Sequence, residues 1–340
     1  MRFMYCREVK KPSRGFKVSI IGAGPAGLAA AGYLACSGIG VEVYDAMPEP
    51  GGYLVFGVYH GRLPRRSVRE GVEELRRNGV VFHEETHVSS KLLEELLSDS
   101  DAVLVATGAW RPRRLMLPGS GLPGVMAASG YIVSFYKWRL GYSKTRPPEP
   151  GRVVVVGGGH TAIDACMVSM DMGAEEVYLV YRRTRFEAPA GPMAFNMLEK
   201  RGVRIIELAS PVEYIGGSRL EAVRLVRMRL AGVDETGRPR PEPIPGSEFT
   251  IEADTVLEAV GLKPTPPPSL TGLGVEVTRR GGIAVSRYHM TSREPLFAAG
   301  DVVHGASTIG KALKSGLEAA KCIEEYLEGR LRWIPPGGSG

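Results

Sequence analysis

Two stretches of the chain pass from an unbroken apolar run through a cluster of glycines into helical spacing. In the first, "KVSII" (17–21) predicts a short buried strand, "LAAAGYLACSG" a helix and "VEVYD" (41–45) the next strand. The order returns at "RVVVVGGGHTAIDA" (152–165), followed by the strand "VYLVY". Between the two, "SVREGVEELRRNG" has helical spacing that stops at Asn78-Gly79, and "VVFHEETHV" and "DAVLVATGA" read as strands. After the second device, residues 199–233 give several short alternating strands, and the proline-rich stretch Asp234 to Glu248 is expected to be an exposed loop. "FTIEADTVLEAVG" returns to strand pattern, "PTPPP" marks the way out, "LFAAGD" is a buried strand, and a helix follows Ser307 and Thr308. The closing "IPPGGSG" is expected to be disordered.

Each glycine of the first device has a mechanical role. Gly22 permits the tight turn, Gly24 lets backbone approach a pyrophosphate, and Gly27 lets helix and strand pack closely. With Pro25 and Ala26 they open a helix whose N-terminal N–H groups and partial positive charge suit phosphates. Asp45, ending the second strand, can accept hydrogen bonds from a ribose diol. In the second device Gly157, Gly158 and Gly159 lead into His160 and Thr161, Ala162 replaces the third glycine, and the strand runs into Arg182 and Arg183 in place of an acid. Guanidiniums there would pair with a 2′-phosphate, so the pattern asks for FAD at the first site and NADPH, with NADH possible, at the second. A solvated surface cluster formed by Arg182, Arg183 and Arg185 is the other reading. The expected fold is α/β, with two Rossmann-like dinucleotide-binding domains of the three-layer ββα type. The NAD(P)H domain (116–264) is inserted into an FAD domain (1–115 and 265–330), and 331–340 form a flexible tail.

Other small residues fit a flavin site. Gly51 and Gly52 form a turn, while Ala106, Thr107 and Gly108 end a strand where a cofactor could pass closely. Gly300 and Asp301 end another strand, with the carboxylate available to a ribityl chain, and the helix after Ser307 and Thr308 would aim its positive end at a reduced flavin.

Charge and cysteine usage narrow the class. The net charge of +6 is spread along the chain, which argues against nucleic acid. No run of about 18 apolar residues occurs, so no membrane span is expected, and the glycines after Lys17 break any signal-peptide reading of the basic leader. Cys6, Cys36, Cys166 and Cys322 stand far apart without a C-x-x-C pair. They read as reduced thiols of a cytoplasmic protein, with Cys36 and Cys166 as small buried hydrophobes.

With "GRLPR", "ATGA", "YRRTRFEAPA", "GRPRPEPIPGSEF", "ADTVLEAVG" and "TSREPLFAAGDVVHGASTIGKAL" beside the glycine turns, the chain resembles the glutamate synthase small (beta) subunit-like flavoproteins over about Lys17 to Leu327. The resemblance implies FAD contacts at Gly22, Gly24, Ala26, Asp45, Gly52, Leu54, Leu63, Val88, Thr107, Gly108, Gly300, Asp301 and Thr308. It implies NADPH contacts at Gly157, Gly159, His160, Thr161, Arg182 and Arg183. Family members carry an N-terminal iron–sulfur domain that is expected to be lacking here, and His160 stands where the family has asparagine. The implied activity is hydride transfer from NADPH to FAD and onward passage of electrons to a larger subunit or an acidic, ferredoxin-like acceptor protein. No side-chain nucleophile or acid–base pair is needed; His160 and His304 could handle protons. A thioredoxin-reductase-like or ferredoxin–NADP reductase-like enzyme shares the architecture, and a non-catalytic flavin-binding subunit is a further reading.

Overall fold

The computed structural model describes residues 1–6, 15–234 and 237–337. The chain divides into two compact units: Met1–Phe56, His60–Arg111 and Leu262–Gly340 form one, Gly57–Tyr59 and Pro112–Gly261 the other.

The first unit begins with β1 (Lys17–Ile21), α1 (Pro25–Cys36), β2 (Gly40–Tyr44), α2 (Tyr53–Phe56), α3 (Arg65–Arg77), β3 (Val81–His83), α4 (Ser90–Asp99), β4 (Ala102–Val105) and β5 (Arg111–Pro112). The second unit follows with β6 (Val125–Ala127), α5 (Ala128–Arg139), β7 (Arg152–Val156), α6 (His160–Asp171), β8 (Glu176–Tyr181), α7 (Pro192–Lys200), β9 (Arg204–Glu207), β10 (Ala209–Ile215), β11 (Ala222–Val233), β12 (Pro239–Pro243), β13 (Phe249–Glu252) and β14 (Thr255–Glu258). The chain then returns through β15 (Leu262–Lys263), a 3₁₀ turn (Pro268–Leu273), β16 (Leu296–Ala298), α8 (Asp301–His304) and α9 (Ile309–Leu327).

The first unit is built on a parallel five-stranded sheet in the order β16-β4-β1-β2-β3. Buried on both faces, β4 and β16 read as unbroken apolar runs rather than alternating ones. The second unit repeats the plan with the parallel order β6-β14-β7-β8-β9, and adds an antiparallel sheet in which β11 pairs with β10, β12 and β13. Valines and leucines of both sheets, among them Val154, Val180, Val223, Leu225 and Val256, make one core.

Several expectations need correction. Cys6 and Cys36 are not free thiols but a disulfide, Cα–Cα 5.8 Å. The reason is local: residues 1–6 lie along α1, where a side chain at Gly32 would strike the Phe3 carbonyl at 1.9 Å, and this brings Cys6 to the end of α1 that carries Cys36. The proline-rich stretch 234–248 is not simply loop, because Pro239–Pro243 pairs as the edge strand β12, a place that tolerates proline. The strand expected over "VVFHEETHV" ends at His83, since Glu85 takes φ +50 and turns the chain back against Met47. Part of the closing tail is packed: Trp333 meets Phe297 and Tyr326 edge-on at 5.1 and 5.6 Å, and residues 338–340 lie outside the described chain.

Candidate functional site

The two glycine turns are built alike. The Gly22 amide donates to the Tyr44 carbonyl at 2.8 Å, and the Gly157 amide to Val180 at 3.0 Å. Both glycines take positive φ, +106 and +148, and a Cβ on either would lie 2.5 Å from a carbonyl oxygen, that of Ala106 or of Ala259. Only glycine fits there. Gly24 and Gly159 are the N-caps of α1 and α6, neither carries a side-chain cap, and a Cβ on either meets nothing within 4 Å. Each turn therefore presents a bare helix N-terminus to open space, where first-turn amides have no intrahelical partner and an anion is favoured.

The turns differ where a nucleotide's ribose would lie. Register puts Asp45 one residue past the Tyr44 carbonyl that holds Gly22, and Tyr181 one past the Val180 carbonyl that holds Gly157. The true counterpart of Asp45 is thus Tyr181, with Arg182 one step beyond. Asp45 is buried and accepts hydrogen bonds from Ala23 N at 2.5 Å and Met47 N at 2.7 Å; burial pushes its carboxyl above the ordinary range against those two donors. Tyr181 instead lays its ring on Gly158, where a Cβ would come within 2.4 Å of a ring carbon, which explains three consecutive glycines in the second device and Gly-Ala-Gly in the first.

The arginines separate into different roles. Arg182 keeps part of its side chain in solvent and makes no ion pair among the described residues; the desolvation of the rest, with Arg183 and Arg238 nearby, holds its pKa below the ordinary value. Arg183 is 2% exposed, donating to the Pro239 carbonyl at 2.7 Å and to Asp234 at 2.5 Å. Arg185 is bound by Glu207, Glu199 and Asn196. The three are therefore not one solvated cluster. His160 is exposed and Thr161 half-buried at the start of α6.

Around the first turn, Gly51 N donates to Ala23 O at 2.8 Å, and Gly52 sits against Gly24, where a Cβ would meet its Cα at 3.1 Å. Thr107 donates its hydroxyl to the Thr265 carbonyl, and Gly108 takes φ +75 beneath Trp110, whose indole N–H donates to Thr107 O at 2.9 Å. Trp110 also packs on Tyr53 at 4.4 Å, an aromatic pair that the sequence reading missed. Gly300 (φ +76) donates its amide to Ser315 Oγ at 2.9 Å and lies close to Ala26. Asp301 accepts from Ser307 N at 3.1 Å and Oγ at 2.5 Å, and burial raises its pKa against these donors. Thr308 caps α9 by accepting from Lys311 N. Leu63 is half-buried, while Leu54 and Val88 are core side chains, so any ligand contact there falls to the main chain.

The thiols stand away from such chemistry. Cys166 is fully buried, which pushes its pKa up, and Cys322 is pushed to about 11 by burial and by Glu325 and Glu318. The described residues contain no group of three or more His, Cys, Asp and Glu side chains placed to hold a metal ion, and no helix long and apolar enough to cross a membrane.

Comparison with known proteins agrees with this construction. The chain is 39% identical to the glutamate synthase [NADPH] small chain of Azospirillum brasilense, over 94% of this chain and 69% of that one. It is 35% identical to the NADPH-Fe(3+) oxidoreductase subunit beta of Geobacter sulfurreducens, over 94% of this chain and 51% of that one. Among solved structures, Mycobacterium tuberculosis FprA in complex with NADPH superposes with TM-score 0.77 at 20% identity, covering 95% of this chain and 88% of the other. Thioredoxin reductase of Lactococcus lactis gives 0.65 at 21% identity, covering 92% and 99%. These two likenesses bear on the fold. The family model for pyridine nucleotide-disulphide oxidoreductase matches residues 16–316, and the chain belongs to that family, among the relatives of the glutamate synthase small chain.

Proposed function

We propose that the chain is an FAD-dependent NADPH oxidoreductase, with FAD on the first unit and NADPH on the second. The observation that carries this reading is the duplicated bare N-cap, Gly24 and Gly159, each facing open space at the head of a helix. When bound, FAD supplies a two-electron acceptor for the hydride of NADPH and can return electrons singly or in pairs. The chain's own residues bind and orient. Gly22, Gly24, Pro25, Ala26 and Gly27 would receive the flavin nucleotide's phosphates and Asp45 its ribose, with Gly52, Ala106, Thr107, Gly108, Gly300, Asp301, Ser307 and Thr308 completing the first site. Gly157, Gly159, His160 and Thr161 would receive the phosphates of NADPH, and Arg182 its 2′-phosphate. Arg183, already engaged by Asp234 and Pro239, holds the end of β8 in place. The electron acceptor is proposed to be a larger subunit or an acidic partner protein, and the compartment the cytoplasm, where nicotinamide nucleotides are held.

A disulfide-reducing role is less well supported, because the one disulfide among the described residues closes the C-terminal end of α1, roughly 18 Å along that helix from Gly24. Anaerobic mixing with NADPH tests the main reading. Prompt bleaching of flavin absorbance, slower with NADH, is expected; an oxidised flavin that ignores NADPH overturns it.

A further inference from the structure

The segment that follows β8 is tied down at nearly every polar group yet leaves a large aromatic ring in water. Thr184 to Glu187 form a turn in which Glu187 N donates to Thr184 O at 3.2 Å. The Glu187 carboxylate accepts from Thr184 N at 3.0 Å and Oγ1 at 2.6 Å. Arg185, the second residue of the turn, is fixed by Glu207, Glu199 and Asn196. Phe186, the third, donates its amide to Thr184 Oγ1 at 3.3 Å, and its side chain is 78% exposed. The segment closes on the glycine turn itself, because Ala190 N donates to Gly158 O at 3.1 Å and Tyr181 Oη to Glu187 O at 3.3 Å.

We propose that Phe186 is the stacking platform for the adenine ring of the nicotinamide coenzyme. The inference rests on the reading of the second unit as the NADPH site. With the pyrophosphate at the N-terminus of α6, the adenosine half of a dinucleotide lies over the residues that follow the second strand of the unit, here the stretch from Arg182 onward. An aromatic face there suits adenine, and a turn already braced loses little conformational freedom when the base arrives. Phe186 and Arg182 then divide the recognition. Phe186 reads the base that NADPH and NADH share, and Arg182 reads the phosphate that only NADPH carries.

Calorimetric titration of the FAD-loaded protein with NADP⁺ and with adenosine 2′,5′-bisphosphate, both of which carry the adenine, tests the platform without turnover. Base stacking on an aromatic side chain sets the scale, so Phe186→Ala should weaken both ligands about five- to hundredfold. Phe186→Trp should bind them near the wild-type level, and Phe186→Leu, apolar but without a π-face, should stay weak. Flavin reduction by reduced nicotinamide mononucleotide, which carries the hydride but lacks the adenosine, should be the same in all four proteins. If wild type binds both probes and Phe186→Ala binds them equally well, or Phe186→Leu restores binding, the platform is wrong and the coenzyme reading stands. If Phe186→Ala changes only turnover with a protein acceptor, the ring docks a partner and the platform is likewise wrong. A wild-type protein that binds neither probe overturns both.

Discussion

The two glycine turns hold their backbones by the same contacts and differ in what covers them. Gly22 and Gly157 each abut the carbonyl of an alanine, Ala106 or Ala259, and each donates to the neighbouring strand. Over the first turn lies a carboxylate that grips Ala23 N; over the second lies the Tyr181 ring, on a glycine with no side chain. The lesson is that main-chain geometry constrains this device tightly and the covering side chain is free to vary, so differences in nucleotide preference belong in the cover and its flanks.

That comparison can be attacked in several places. The largest effect is expected at the third glycine, where the turns already disagree. A Cβ on Gly27 would lie 1.9 Å from Gly22 O, so Gly27→Ala should cost about 3 kcal/mol in urea unfolding and release FAD on gel filtration. Ala162→Gly, at the equivalent place of the second turn, where a Cβ is already accommodated, should cost only about 1 kcal/mol. Next come the covers. Asp45→Ala strands two amide donors, and a loss of about 2 kcal/mol with weaker FAD retention is expected, whereas Tyr181→Phe removes a single 3.3 Å hydrogen bond and should stay under about 1 kcal/mol. Arg182→Ala should lower kcat/KM for NADPH about tenfold or more and leave NADH unchanged, while Arg183→Ala should register mainly as a lower Tm because it opens the link to Asp234. Equal losses with both coenzymes in Arg182→Ala would refute its assignment to the 2′-phosphate.

A smaller effect is expected at Glu42, midway along β2, whose partners come from β1, β2 and β3 much as Glu176, Tyr178 and Arg204 link β8 to β9 in the second unit. Desolvation pushes Glu42 up, but Lys17, Tyr44 and His83 pull harder and set its pKa at about 2 instead of 4.5. A depressed carboxyl contributes stability that is complete above 4.5 and lost as pH falls toward 2. Thermal melts across that window should decline in wild type and flatten in Glu42→Gln; equal slopes would show that other groups carry the acid sensitivity.

Much of the frame was legible in the sequence because it is local. The order of strand, glycine turn, helix and strand fits within about thirty residues in both devices, and each step has its own signal. The helix α4 had usable signals too, with leucines at 92, 93, 96 and 97 behind the capping Ser89, whereas the buried face of α5 mixes Tyr131, Phe135 and Tyr136 with Ser129 and so blurs the apolar stripe. What escaped depends on distant parts of the chain. Nothing near Cys36 announces Cys6 thirty residues earlier, and nothing in "YRRTR" tells which arginine is claimed by Asp234, 51 residues on. The register that makes Tyr181 the counterpart of Asp45 is likewise a property of paired strands, invisible in either strand alone.

The Trp110 indole, held against Tyr53 and over Gly108 at the first nucleotide turn, has an optical consequence. An isoalloxazine arriving beside it would drain its excited state by energy transfer. Quenching of tryptophan emission, weakened in Trp110→Phe, would then gauge cofactor loading from the protein's own light, with no label attached.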